Sequence, residues 1–106
     1  MPAIVTILYP VPTDCSAKTF DLEYYKAIHM PLVWKSWHPK GLQSYQIIRL
    51  APETGFLMEC LLTWESVEAF EKAKLSEEAA QIMRDIVNFA AVPPSIFVAG
   101  EVVEAN

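Results

Sequence analysis

The residues of this chain best suited to chemistry stand between Phe20 and Leu32, in the run Phe-Asp-Leu-Glu-Tyr-Tyr-Lys-Ala-Ile-His-Met-Pro-Leu. His29 carries an imidazole whose ordinary pKa of about 6.5 lets it take or give a proton at neutral pH. In a half-apolar pocket, desolvation favours its neutral, basic form. Tyr25 stands four residues earlier, and on a helix the two project from one face, one turn apart. Its hydroxyl is a candidate to orient the imidazole or to bond a substrate oxygen, while its ring packs against Phe20. Leu22, Tyr24, Ile28 and Leu32 are expected to make the same face apolar, with Glu23, Lys26 and Ala27 on the other side. Tyr24, about 100° further round the helix, reads as packing more than chemistry, with a place in the substrate wall. The competing account of His29 is a core histidine bonded to a backbone carbonyl that Pro31 leaves open.

Other candidates are weaker. Trp34 and Trp37 follow the proline and read either as an aromatic wall for a flat ligand or as cover for a subunit seam. His38, in the loop before Lys40-Gly41, has a minor claim on the pocket mouth. Tyr45 and Arg49 share one face of a strand and Gln46 takes the other, so Tyr45 is a candidate substrate contact. Asn88 ends the second helix, as a cap, a turn residue or a ligand contact. Cys60, in mid-strand, reads as a small core residue.

Several chemistries drop out. The three glycines are far apart and make no phosphate loop, and no serine sits in a nucleophile-elbow context. Two histidines nine residues apart across a proline make a poor metal site. A net charge of −5 with no basic patch argues against nucleic acid and anionic membrane as partners. No apolar run approaches the roughly 20 residues of a membrane span. Nothing at the start, Met-Pro-Ala-Ile-Val, resembles a signal peptide. Cys15 and Cys60 read as two reduced thiols of a cytoplasmic protein.

These side chains need a scaffold, and 106 residues allow one domain with one core. Ala3 to Tyr9 is a β-branched, apolar run that reads as a strand ending at Pro10, and Pro10 to Ala17 reads as a loop with Asp14. Asp21 is a plausible N-cap for the first helix, which Pro31 should kink or stop. Val33 to Trp37 adds a turn, and His38-Pro39-Lys40-Gly41 ends it. Leu42 to Ala51 and Phe56 to Trp64 read as strands of a hairpin around Pro52-Glu53-Thr54-Gly55. Ser66 caps one helical piece through Ala73, and Ser76 caps a second. In the second piece Ala79, Ile82, Met83, Ile86, Val87 and Ala90 recur at helical spacing, and Val92-Pro93-Pro94 stops it. Ser95 to Val103 is the last strand. The order β-α-β-β-α-β is that of the ferredoxin-like α+β fold.

The strands show no polar face. Ile4 and Val5, Ile47 and Ile48, Leu61 and Leu62, and Phe97 and Val98 put apolar groups on both sides of the sheet. Helices cover one side. The economical cover for the other is a second copy of the chain, giving an isologous homodimer whose two sheets close into a barrel. An apolar share of 53% fits two burial events better than one.

Two stretches resemble the EthD family of dimeric α+β-barrel proteins. One is Phe20-Asp21 with Tyr24-Tyr25 and His29-x-Pro31-Leu32. The other is Asp85-Ile86-Val87-Asn88-Phe89, leading through Pro93-Pro94 into the last strand. The chain departs from short bacterial members at Val87 and Ala90, where those tend to have Pro and Thr. The family is named for a component of ether breakdown without an assigned reaction. Its superfamily includes cofactor-free monooxygenases of aromatic polyketides, polyketide cyclases, muconolactone isomerases and decarboxylases. The resemblance implies a flat, apolar substrate between sheet and helices, one or two acid–base residues, and no metal or organic cofactor. Among the residues it marks, His29, Tyr24 and Tyr25 have the claim to that site.

The reading is then a small cofactor-independent enzyme acting on an aromatic or polyketide-like molecule, with His29 as general base and Tyr25 holding the resulting anion. The alternative is a protein that binds an apolar metabolite without turning it over, or serves an oxygenase as an accessory.

Overall fold

The computed structural model describes residues 1–12 and 20–106. Most of the loop expected from Pro10 to Ala17, with Asp14 and Cys15, lies outside the described residues. Strand β1 spans Ala3–Pro10, where alternate side chains are buried along its whole length. Strands β2 (Leu42–Arg49), β3 (Phe56–Trp64) and β4 (Ile96–Glu101) complete one antiparallel sheet in the order β2-β3-β1-β4. That order is the split βαβ arrangement read from the sequence, an α+β ferredoxin-like fold. Val5 lies opposite Leu62 and Ala99, and Ile7 opposite Cys60 and Phe97, so these form the face beneath the helices. The period of two places Ile4, Leu8, Leu61 and Val98 on the other face, which no helix among the described residues covers. The β2–β3 hairpin turns through a 3₁₀ turn, Pro52–Thr54, and closes at Gly55. There φ is +89°, a left-handed backbone that glycine adopts without a Cβ clash.

The first helical stretch is built in three pieces. Helix α1 (Leu22–Tyr24) starts from Asp21, whose carboxylate accepts from the Tyr24 N–H at 3.1 Å, as the cap reading expects. Tyr25–His29 then forms a π-turn, closed by the Met30 N–H on the Tyr25 carbonyl, and helix α2 runs over Met30–Trp37. The expected kink or stop at Pro31 is therefore not a stop. The chain widens one turn just before the proline and continues as helix beyond it. Widening also corrects the expected apolar face. Ile28 swings outward and is 52% exposed, and the buried face is Tyr25, His29, Met30, Val33 and Trp37.

Helix α3 (Val67–Lys74) begins at Ser66, whose hydroxyl accepts from the Ala69 N–H at 3.0 Å. Helix α4 (Glu77–Asp85) begins at Ser76, but that side chain makes no cap bond and its hydroxyl donates back to the Ala73 carbonyl. The helical spacing read through Ala90 breaks at Asp85, where the backbone tightens into a 3₁₀ turn, Ile86–Asn88. Ala79, Ile82, Ile86 and Ala90 are buried, whereas Met83 and Val87 are exposed.

The core packs between the helices and the covered sheet face. One aromatic group joins Trp37, Trp64 and Phe70, with Trp37 and Trp64 centroids 5.5 Å apart. Another joins Tyr9, Phe20, Tyr25 and Phe89, and the expected packing of Phe20 on Tyr25 is present at 5.0 Å. Backbone bonds stitch the start of α1 to the end of α4. The Asp21 N–H donates to the Phe89 carbonyl at 2.7 Å, and Phe20 pairs with Ala90 as an isolated bridge. This stitch brings the two EthD-like motifs together.

Candidate functional site

At that junction His29 is 3% exposed, the one buried polar side chain among the described residues. Its ring lies parallel to that of Tyr25, with centroids 5.5 Å apart, and 4.4 Å from that of Phe89. Nδ1 of His29 stands 2.9 Å from Oδ2 of Asp85, the last residue of α4. An ionised carboxylate only accepts, so Nδ1 carries the proton and Nε2 the free lone pair. Nε2 makes no hydrogen bond among the described residues. The other carboxylate oxygen, Oδ1, accepts from the Tyr24 hydroxyl at 2.6 Å and from the Asn88 amide at 2.9 Å.

These contacts set the protonation states. Burial pushes the His29 pKa down; Asp85 opposes this, but burial prevails. The carboxylate reaches solvent, where its field is screened, while the ring is packed in aromatic carbon. For Asp85 partial burial acts upward, and the bonds from Tyr24, Asn88 and His29 outweigh it, so its pKa lies below the ordinary value. The same bond to Asp85 raises the pKa of Tyr24. The site at neutral pH is a neutral imidazole held by an anionic carboxylate.

His29 lines a cavity of about 20 Å³ between α2, α4 and the sheet, room for one water. Beside it lies an open groove of about 450 Å³, lined by apolar side chains and Lys74. The cavity and the groove share Trp37, Met83, Ile86 and Phe97 as a common wall. The pocket expected between helices and sheet is thus nearly filled, and most of the free space lies outside that wall.

The residues expected to form the site separate into two groups. Tyr24, Tyr25, His29 and Asn88 gather around Asp85 and Phe89. Tyr25 stacks on His29 and makes no hydrogen bond to it; the bond of the imidazole Nδ1 is to Asp85. Burial foremost, with Cys60 and Tyr9 adding to it, drives the Tyr25 pKa far up, and burial takes the Cys60 thiol to about 11. Orientation of the imidazole falls to Asp85. The backbone-carbonyl account of His29 does not hold either, since a side chain fills that role. Trp37 lines both the cavity and the groove. Trp34, His38 and Tyr45 form a separate aromatic stack, with Trp34 and His38 rings 4.4 Å apart and His38 Nδ1 3.1 Å from the Leu42 carbonyl. None of the three lines the cavity or the groove.

The sequence motifs point to His29 and the tyrosines, and the structure adds Asp85 to the site. The signal was present: Asp85 opens the second EthD-like motif, three residues after the buried Ile82 and four before Phe89. Such spacing puts a carboxylate at the edge of the inward face. Among the described residues no group of three or more His, Cys, Asp or Glu side chains is placed to hold a metal ion. Among the described residues no helix is long and apolar enough to cross a membrane.

No protein-family model matches the chain, and no curated protein sequence matches it. Solved structures do. An EthD-like protein from Ralstonia eutropha JMP134 shares 26% identity and superposes with a TM-score of 0.81, over 99% of this chain and 95% of its own. An ethyl tert-butyl ether D (EthD) family protein from Bacillus halodurans C-125 gives 24% identity and a TM-score of 0.72, over 97% and 100%. A candidate antibiotic biosynthesis monooxygenase from Nitrosomonas europaea has the same fold at 9% identity, with a TM-score of 0.56 over 96% and 90%. The resemblance to EthD proteins read from two motifs extends over nearly the whole chain.

Proposed function

We propose that this EthD-like chain is a small enzyme that takes a proton from an acidic O–H or C–H of an apolar, aromatic molecule, using Nε2 of His29 and no bound cofactor. The observation that carries the reading is the 2.9 Å bond between Nδ1 and Asp85 inside a buried aromatic shell. A buried imidazole needs only a backbone carbonyl to be satisfied. A carboxylate does more, because it fixes the tautomer and stabilises the imidazolium that forms as Nε2 accepts the proton. Tyr24 and Asn88 hold that carboxylate, so it keeps its orientation as charge develops on the ring. The product of the step is an enolate or phenolate. Oxygenation, decarboxylation and isomerisation each pass through such an anion, and a neighbour of the same fold bears a monooxygenase name.

The open sheet face belongs to the same proposal. Ile4, Leu8, Leu61 and Val98 would be covered by a second copy, closing a barrel in the cytoplasm, where Cys60 stays reduced. One observation favours the second reading, an apolar-ligand carrier or accessory protein: the roomy groove does not include His29.

Turnover of a panel of aromatic polyketides by wild type and His29→Gln tests the assignment. General-base catalysis contributes about 10²- to 10⁴-fold, so kcat should fall by that factor in the variant while ligand binding persists. Equal turnover in the two proteins overturns the base assignment, and binding without turnover in both supports the carrier.

A further inference from the structure

We propose that the groove beside the His29 cavity binds an apolar organic carboxylate, its flat body on Met83, Ile86, Pro94 and Phe97 and its anionic head on the ammonium of Lys74. Among the described residues, Lys74 is the single charged member of the groove lining, and the rest of that lining is apolar. A volume of about 450 Å³ is that of a small-molecule site. On a protein of net charge −5, a free anion meets general repulsion, so a cation at the edge of an apolar groove selects where an anion can settle.

The local geometry leaves the ammonium able to accept a second partner. Lys74 ends α3, its Nζ 5.3 Å above the centre of the Phe70 ring and 3.2 Å from Oε2 of Glu71. Both charged groups are about half exposed and stand three residues apart on one helix, a pairing that contributes little. An ammonium has three donors, of which Glu71 takes one. Phe70 in turn stacks on Phe97, whose ring faces the groove, with centroids 6.1 Å apart. A single ammonium matches one carboxylate charge, whereas a phosphate asks for more donors than this lining offers.

The inference deepens the proposed function and, for its last step, rests on it. Lys74 lines the groove but not the cavity, while Met83 belongs to the wall between them. Met83 is unbranched and half exposed, a side chain able to move aside. A ligand anchored by its carboxylate at Lys74 therefore presents its uncharged end to His29.

The test is a binding titration, by tryptophan fluorescence at low salt, of 2-naphthoate and of its uncharged methyl ester with the full chain. Naphthoate should bind more tightly than the ester. Lys74→Gln should weaken naphthoate by about five-fold, in line with a half-exposed ion pair, and leave the ester unchanged. Glu71→Gln, which removes the competing carboxylate, should tighten naphthoate. Equal binding of acid and ester across the three proteins, or binding of neither, overturns the proposal. His29→Gln should bind naphthoate as wild type does, so an error in the catalytic reading leaves this result standing, and loss of binding there would overturn the separation of anchor from reacting end.

Discussion

His29 is enclosed by the rings of Tyr25 and Phe89, and its chemistry depends on a carboxylate contributed 56 residues later in the chain. Asp85→Asn tests that dependence. An amide donates as well as accepts, so it can turn Nδ1 into an acceptor and move the proton to Nε2, removing the base. Turnover should fall by about 10²- to 10⁴-fold with ligand affinity kept, and ¹⁵N NMR of the imidazole should report the exchanged tautomer. The titrations also set a pH dependence. The folded pKa of His29 lies below its ordinary 6.5, so beneath that pH the unfolded chain binds more protons. Its contribution to stability is complete above about 6.5 and is lost as pH falls through the folded value. Asp85, also depressed, contributes above its ordinary 3.8 and loses that contribution at still lower pH. The melting temperature should therefore fall in two steps on acidification, and His29→Gln should remove the upper step and shrink the lower, because His29 is one of the groups that depress Asp85.

Among the elements, the caps are unequal although the sequence presents them alike. Ser66 accepts from the Ala69 N–H, while Ser76 makes no such bond to α4. Ser66→Ala should cost about 1 kcal/mol in a urea melt, and Ser76→Ala clearly less. The segment after α4 has more at stake. Phe89 touches Tyr9, Phe20, Tyr25 and His29, and its backbone carbonyl holds the start of α1. Phe89→Ala should cost roughly 3–5 kcal/mol, and the same variant should shift the ¹⁵N signals of His29, because the ring loses one of its walls. The π-turn before Pro31 belongs to this scale too. It shifts which residues of the helix face inward, keeping Tyr25 and His29 buried on one face while Ile28 is turned out.

For the molecule as a whole, the decisive feature is a sheet with apolar residues on both faces and helices on one. Leu61, opposite Thr6 and Gln46, stands near the middle of the open face. Under two-fold symmetry a charge there meets its own copy or enters an apolar seam. Leu61→Lys should convert a dimer to a monomer in light scattering without altering the far-UV spectrum. A wild type that is monomeric at assay concentrations would remove the partner from the proposal.

The element order, the hairpin turn at Pro52–Gly55, the Asp21 and Ser66 caps and the two-sided apolar strands were legible in the chain, because each depends on neighbours within a few residues or on a period of two. Tyr25 and His29 were legible as a pair for the same reason. The tertiary structure decided what spacing cannot encode. A helical period assumes α geometry, so the widened turn at Tyr25–His29 and the tightened one at Ile86–Asn88 redirected Ile28 and Val87. A loop histidine carries no address, and His38 stacked on Trp34 away from the cavity. Above all, the partner of His29 came from the far end of α4. Local sequence specifies which side chains can do chemistry, but a hydrogen bond between residues 56 apart exists only once the fold has brought two helix ends together.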